Sequence, residues 1–579
     1  MKRHKARAGY TKDVTSYVPR VIESAFPSIE QVLAVRGHAG YRQYRIPALA
    51  VTAQGTLLAA YDGRPNLDDL PGPIDLLVRR STDNGQNWGP QQVVRTGSGL
   101  QGYGDPSLLV DAETGRIFLF HAAGTRAGFF ESTTGLDPDD ELIQHCDLSV
   151  SDDDGVTWQH RRITAQLKAS SSAAREVTGI FAAAGQGIQV HTGPYRGRLV
   201  QQFVVLRGGR IMAASAYSDD HGDNWTLGEL LDAAPGGAAP NENKVAALAD
   251  GRLLLHSRST PRRLAAFSND GGHSWSRLVP VEDLPDPSDN GSLARFDGQP
   301  ALNLASAATD QWLLATNNHD TDLRRNTVVS LSPDNGATWP AKLVLCAGSS
   351  AYSTVTRLPD GNIGVLYERQ GYREIVFVSV PPGQLTDQFD ARTPAVADRG
   401  AQPAGPGLSF HMELRSITPG LPEVWQNAGE SHVLATDGSS WGAGTWKEIG
   451  QGYSPDQAQV LGTREAQDLN YGPVVPGYKT GDIIAFTGRA RNDAPEAAYG
   501  VRLAGPGADA FPETDLSAGE QTLYFTPAYT VTEEDAGRTT FDVPYTLSAV
   551  QGGSPHKSSR IFRFDVATGA VSVEDTSSP

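Results

Sequence analysis

Ser-x-Asp-x-Gly-x-x-Trp occurs five times in the first two-thirds of this chain, as STDNGQNW (81–88), SDDDGVTW (151–158), SDDHGDNW (218–225), SNDGGHSW (268–275) and SPDNGATW (332–339). A pattern with four fixed positions that returns at this spacing marks stacked supersecondary units. Each copy follows a run of strand-forming residues: DLLVRR, CDLSV, IMAASAY, RRLAAF and NTVVSL. Asp-x-Gly after such a run is turn chemistry. The Asp carboxylate is expected to accept backbone N–H groups two or three residues on, and the Gly to take a positive φ. The Trp then returns into the next strand and buries a large apolar surface. On this reading Asp83, Asp153, Asp220, Asp270 and Asp334 are structural. The SDDDG copy lacks the downstream Glu of a calcium loop, so no metal is expected there.

A second strand type recurs between the repeats, as GTLLAAY (55–61), RIFLFHA (116–122), RLVQQFVV (198–205), RLLLHS (252–257), QWLLAT (311–316) and NIGVLYE (362–368). Six β-units of this kind predict an all-β chain with a six-bladed β-propeller, whose sheet edges are short and protected. The 579 residues leave room for more than one domain. Residues 1–30 read as an arm, 31–383 as the propeller and 384–407 as a Pro/Ala/Gly-rich linker. In 408–579 the repeat never returns, and alternating runs such as TLYFTPAYTV (522–531), TTFDVPYTL (539–547) and RIFRFDV (560–566) predict a β-sandwich. Trp425, Trp441 and Trp446 there suit either sugar stacking or packing.

The net charge of −17 argues against a duplex nucleic acid partner, and any anionic ligand needs a local cationic pocket. The two cysteines, Cys146 and Cys346, follow strand-like runs and are expected to be buried thiols. No apolar stretch is long enough for a membrane-spanning helix. The basic N-terminus has no apolar core behind it and does not read as a signal peptide. The chain as written is expected in the cytoplasm, or outside the cell or at its surface if a leader precedes it.

A set of dispersed motifs carries a sharper signal: YRIP (44–47), YDGRPNLDD (61–69), GDPS (104–107), GQGIQVHTGPYRGRLV (185–200), NENK (241–244), LLLHSRS (253–259), LRRN (323–326), AYST (351–354) and GVLYE (364–368). In this order and with these repeats, nearly all of 31–380 resembles the bacterial exo-sialidases with Asp-box repeats, of the glycoside hydrolase family 33 type. The resemblance implies release of terminal sialic acid with retention, through a tyrosyl intermediate. It implies a three-arginine clamp at Arg45, Arg258 and Arg324. Arg is suited to a planar, bidentate grip on the sugar's carboxylate. Arg325 is the alternative third member.

The resemblance also implies Tyr352 as nucleophile, Glu242 as its base and Asp69 as acid and base, with Asp68 and Asp62 as neighbouring candidates. A phenol suits an anomeric centre that already bears a carboxylate, and sialidases with a Tyr nucleophile are exceptions to the two-carboxylate rule. Glu368 is implied as the residue that orients Arg45, and Arg64, Asp105 and Asn290 as contacts to the ring substituents. No metal and no cofactor are expected. The implied partners are sialylated glycoproteins, glycolipids or oligosaccharides, with the chain acting as a monomer. Rival readings are transfer of the sialyl group or release of an anhydro product, action on another 2-keto acid sugar, and a catalytically silent sialic-acid-binding propeller. The C-terminal region is expected to bind carbohydrate, brace the propeller or contact a surface.

Overall fold

The computed structural model describes residues 23–298, 302, 304, 306–389, 402–405, 407–419, 474–519 and 521–578. Among them the chain is all-β with a few short helices. The first sheet runs Gln43–Val51, Leu57–Arg64, Asp75–Ser81 and Gln92–Arg95, each strand antiparallel to the last. The second repeats this order with Gly102–Val110, Ile117–Gly124, His145–Ser151 and Gln159–Arg162. The third uses Ile180–Ala182, Leu199–Arg207, Arg210–Ser218 and Thr226–Leu227. The fourth uses Asn243–Ala247, Leu253–Ser257, Arg262–Ser268 and Val279–Pro285.

Two short strands, Gly185–Gln186 and Ile188–Gln189, add to the second and third sheets, and the other strands of this region join an eight-stranded sheet through one long strand, Ala341–Arg357. Its first half pairs with Arg325–Ser332 and its second half with Ile363–Arg369, so it ends one four-stranded unit and begins the next. The last place is taken by Ile29–Val35, antiparallel to Glu374–Val380. An N-terminal strand thus completes the C-terminal unit, and the boundary expected at residue 31 falls inside that strand. All six runs of the second strand type lie in the second strand of their units.

The five repeats share one hydrogen-bond pattern. The Ser hydroxyl donates to the Asp carboxylate and accepts the Gly N–H at 2.9 Å. The other donors to the Asp differ from expectation. They are the N–H and the side chain of the residue four positions on, such as Thr338 on Asp334 at 2.9 and 2.6 Å. The Gly and the residue before it both have positive φ, as at Asn335 (58°) and Gly336 (84°). Trp225 and Trp339 are fully buried, whereas Trp88, Trp158 and Trp275 are half-buried.

Each repeat packs on the preceding unit. Gly155 lies against Leu58 of the first sheet. The Trp225 ring centroid is 4.9 Å from that of Phe120 in the second. Trp275 donates to Ser215 of the third at 3.0 Å, and Trp339 packs on His256 of the fourth. The first repeat closes the series, because Trp88 packs on Phe377 of the last unit at 5.2 Å. In the SDDDG copy, Asp154 is held by Thr52, Thr56 and Arg80, which ties the second unit to the first.

The described residues from 402 onward form two five-stranded sheets around a core that includes Phe410, Met412, Phe486, Val543, Phe562 and Phe564. The expected linker begins inside the helix Gly383–Thr386, takes in the strand Gln402–Gly405 and ends at Gly407, just before the strand Leu408–Thr418. Trp425, Trp441 and Trp446 lie outside the described residues. Both cysteines are free. Cys146 is buried, but Cys346 is only half-buried, a departure from the expected pair of buried thiols.

Candidate active site

The topology brings the singled-out side chains to one end of the units. In an antiparallel sheet, the start of the first strand, the end of the second and the start of the third share an edge. Arg45, Asp105, Glu242, Asn290 and Tyr352 sit at or near the starts of first strands. Arg64, Arg258 and Glu368 sit at or just beyond the ends of second strands, and Arg324 precedes a third strand. The five repeats follow third strands and therefore lie at the opposite end, as a structural role requires.

Tyr352 is the hub. Its hydroxyl donates to Glu242 Oε2 at 2.6 Å and accepts from Arg258 Nη1 at 2.7 Å. Arg258 Nη1 also donates to Glu242 Oε2 at 2.5 Å, and its Nε to Ser288 Oγ at 3.1 Å. The Arg45 and Arg324 guanidinium carbons stand 5.1 and 5.3 Å from the Tyr352 ring centroid. Glu368, fully buried, accepts from Arg45 Nε (2.8 Å), Arg45 Nη2 (3.3 Å) and the Ile46 N–H (2.8 Å). That third bond anchors a β-bulge in which Ile46, a β-branched residue, takes a φ of 63°.

Arg64, Asp62 and Asp69 form a second group. Asp62 lies opposite Arg45 in the strand register. Its Oδ2 accepts from Arg64 Nη2 at 2.6 Å, and Arg64 Nη1 donates to Asp69 Oδ1 at 2.8 Å. The Arg64 and Asp62 side chains are buried, but the Asp69 side chain is 81% exposed. The Asp68 carboxylate accepts from Asn66 Nδ2 at 2.8 Å. Burial raises Asp62 to about 6 despite Arg64. Asp105 is pushed well above the usual carboxylate range by burial and by the charges of Asp62 and Asp69, and the charge of Glu242 also reaches it.

Arg324 and Arg325 diverge. Arg324 donates to Tyr372 Oη (3.1 Å) and the Ser288 carbonyl (3.0 Å), facing Tyr352. Arg325 is buried against the C-terminal region, beside Glu413 and His411. Asn290 is buried and spends its amide inside the protein: Oδ1 accepts from Lys244 Nζ at 2.7 Å and Nδ2 donates to the Ala184 carbonyl at 3.0 Å. Lys244 in turn feels the charge of Glu242.

Three partners went unnoticed in the sequence. Asp289 pairs with Arg324 at 3.3 Å, so each of the three arginines has its own carboxylate. Burial raises Asp289 to about 7, with Arg324 drawing it down and Asp286 pushing it up. Tyr372 lies 4.0 Å beneath the Arg45 guanidinium. Lys244 is the third. The only hint for the first was the place of Asp289 beside Asn290 in SDNGS, and for the last its place in NENK.

A profile of the BNR repeat-like domain matches residues 55–365, more than half of the chain. The chain belongs to this BNR repeat-like family. The sialidase of Micromonospora viridifaciens is 46% identical over 347 residues, covering 58% of this chain and 52% of the relative. That of Bacteroides fragilis is 29% identical over 347 residues, covering 56% and 60%. The chain thus spans little more than half the length of these curated relatives. Among solved structures, the Hadza microbial sialidase Hz136 is similar with a TM-score of 0.54 at 29% identity, over 62% of this chain and 69% of that one. A leech intramolecular trans-sialidase shares the fold at a TM-score of 0.53 and 19% identity, over 65% and 72%.

In this BNR repeat-like protein, Lys244 has a readable pH signature. Burial pulls its ammonium down to about 7, opposed by Glu242. The native state therefore releases that proton near pH 7, while the unfolded chain holds it to about 10.4. Between those values the unfolded state binds more protons, so this residue's contribution makes stability rise with pH. Thermal unfolding of wild type and Lys244→Met from pH 7 to 9.5 is expected to show wild type gaining on the variant as pH rises. A pH-independent difference would contradict the assignment.

Proposed function

We propose that this chain is an exo-α-sialidase that hydrolyses terminal sialic acid with retention, and that the described part of 29–383 forms a six-bladed propeller followed by a C-terminal β-sandwich. The propeller reading is supported by the cyclic order of packing, in which each repeat rests on the preceding unit and the first on the last. The sandwich reading is supported by two five-stranded sheets that share one core. The catalytic reading is carried by one observation: a buried phenol bonded to a buried carboxylate inside a cluster of three arginines.

Arg45, Arg258 and Arg324 receive the sugar carboxylate. An anionic nucleophile would be repelled by that carboxylate; a neutral phenol is not. Burial holds the Tyr352 hydroxyl well above its usual range, so attack needs a base in contact, and Glu242 is that base. As the Tyr352 oxygen bonds to the anomeric carbon, its proton passes to Glu242, and Asp69 protonates the departing glycosidic oxygen. In the second half Asp69 takes a proton from water, the water oxygen bonds to the anomeric carbon, and Tyr352 leaves with the proton from Glu242. The exposure of Asp69 at the rim suits a group that must meet both leaving group and water.

The test is fluorescence release from 4-methylumbelliferyl N-acetylneuraminide, with the product followed by NMR. Release with the α-anomer of free sialic acid appearing first is expected. The β-anomer appearing first would contradict retention, and no release by folded protein would contradict the enzyme.

A further inference from the structure

The C-terminal region meets the propeller at the segments that carry the arginine cluster. Strand Leu408–Thr418 touches three of them in turn. His411 and Glu413 meet Arg325, next to Arg324. The Leu414 carbonyl accepts from Ser349, whose hydroxyl also accepts the N–H of Gly371, beside Tyr372. The Ile417 carbonyl accepts at 2.8 Å from Gln43, two residues before Arg45. At Gly37 a Cβ would stand 2.0 Å from the Val475 carbonyl oxygen, so a side chain there would force the two regions apart.

The tightest link runs from strand Ile483–Asn492. Arg489 grips Asp320 with both ends of its fork, Nη1 to Oδ1 at 2.7 Å and Nη2 to Oδ2 at 2.9 Å, and Nη1 also reaches Asp322 at 2.8 Å. Asp320 Oδ1 in turn accepts the N–H groups of Asp322 (2.9 Å) and Leu323 (3.0 Å). That carboxylate shapes the turn that leads directly into Arg324. Arg489 and Asp320 are both largely buried, where a bidentate pair fixes geometry and Lys cannot replace Arg in kind.

We propose that the C-terminal region is part of the carboxylate-binding machinery, with Arg489 as a positioning residue that aims Arg324 through Asp320. This rests on the reading of Arg324 as a ligand of the substrate carboxylate. Without Arg489 the turn loses its outer clamp and leaves two carboxylates beside the Arg324 loop without their shared cation. Arg324 then swings among rotamers, and the cost falls on ligand binding more than on turnover.

The test uses the full chain as wild type, Arg489→Met, Arg489→Lys, Arg324→Ala and the Arg324→Ala/Arg489→Met double variant. For each, kcat and KM on the fluorogenic sialoside are measured, with the inhibition constant of 2,3-didehydro-2-deoxy-N-acetylneuraminic acid, which bears the same carboxylate. Arg489→Met is expected to weaken inhibitor binding about tenfold with a much smaller change in kcat, and Arg489→Lys roughly threefold, as expected of coupled neighbours and a lost bidentate fork. On the Arg324→Ala background, removal of Arg489 should cost nothing more. Unchanged inhibitor binding in folded Arg489→Met overturns the proposal, as does an equal loss on both backgrounds. If Arg489→Met does not fold, Arg489→Lys alone decides, and unchanged binding there overturns it. If Arg324→Ala itself leaves inhibitor binding intact, the reading of the clamp fails, separately from the relay.

Discussion

Tyr352→Phe is expected to lower kcat on a sialoside by roughly a thousandfold or more, since an enzyme that loses its nucleophile keeps only binding and electrostatic stabilisation. The substitution removes one oxygen and leaves the ring among Arg45, Arg258 and Arg324. The clamp therefore stays packed, and KM should change far less than kcat. Glu242 and Arg258 keep their direct 2.5 Å pair, so no charge is stranded and the fold should hold. This separates chemistry from structure: thermal unfolding should match wild type while turnover collapses. A variant that kept wild-type turnover would remove Tyr352 from the mechanism.

Glu368→Ala should cost stability as well as activity. The wild-type carboxylate is fully buried and takes three donors, two from Arg45 and one from the Ile46 N–H. Removing it leaves a buried guanidinium without its counter-charge and an orphaned backbone donor at a bulge held at positive φ. Breaking a buried pair from one side costs about 3–5 kcal/mol. The expected result is a drop of that size in chemical-denaturation stability, with affinity for a carboxylate inhibitor reduced in whatever protein remains folded. Glu368→Gln keeps one acceptor and should fall between. A loss below about 1 kcal/mol, the range of exposed ion pairs, would mean that solvent reaches the pair.

Local patterns were legible where each one carried its own physics. The five repeats announced the turns, and the six apolar runs announced the second strands, because turn chemistry and strand periodicity are contained within a few residues. The motifs that carry Arg45, Tyr352, Glu242, Arg258 and Glu368 were read through a family resemblance rather than from local physics, and the fold then sets each of them at or near a strand end. What escaped was whatever depends on distant chain. Ile29–Val35 joins the last unit across more than 300 residues, and nothing in IEQVLAV names its partner. Asp289 gains its meaning only from Arg324 beside it. The bond between Asn290 and Lys244 joins segments far apart in sequence, and neither SDNGS nor NENK names the other. Arg489 looks like any surface arginine in TGRARN until the fold sets it against Asp320. The pattern of donors to the repeat Asp was off by one or two positions, because two consecutive positive-φ residues lengthen the turn.

The most direct test of the account is covalent trapping. A 3-fluorosialosyl fluoride carries a good leaving group for the first step and an electron-withdrawing fluorine that slows the second. Incubation with wild-type protein, proteolysis and mass spectrometry should find the fluorosialyl adduct on the peptide that contains Tyr352, and none in Tyr352→Phe. An adduct on Glu242, Asp69 or any other residue, or turnover with no trapped species, would contradict the tyrosyl mechanism.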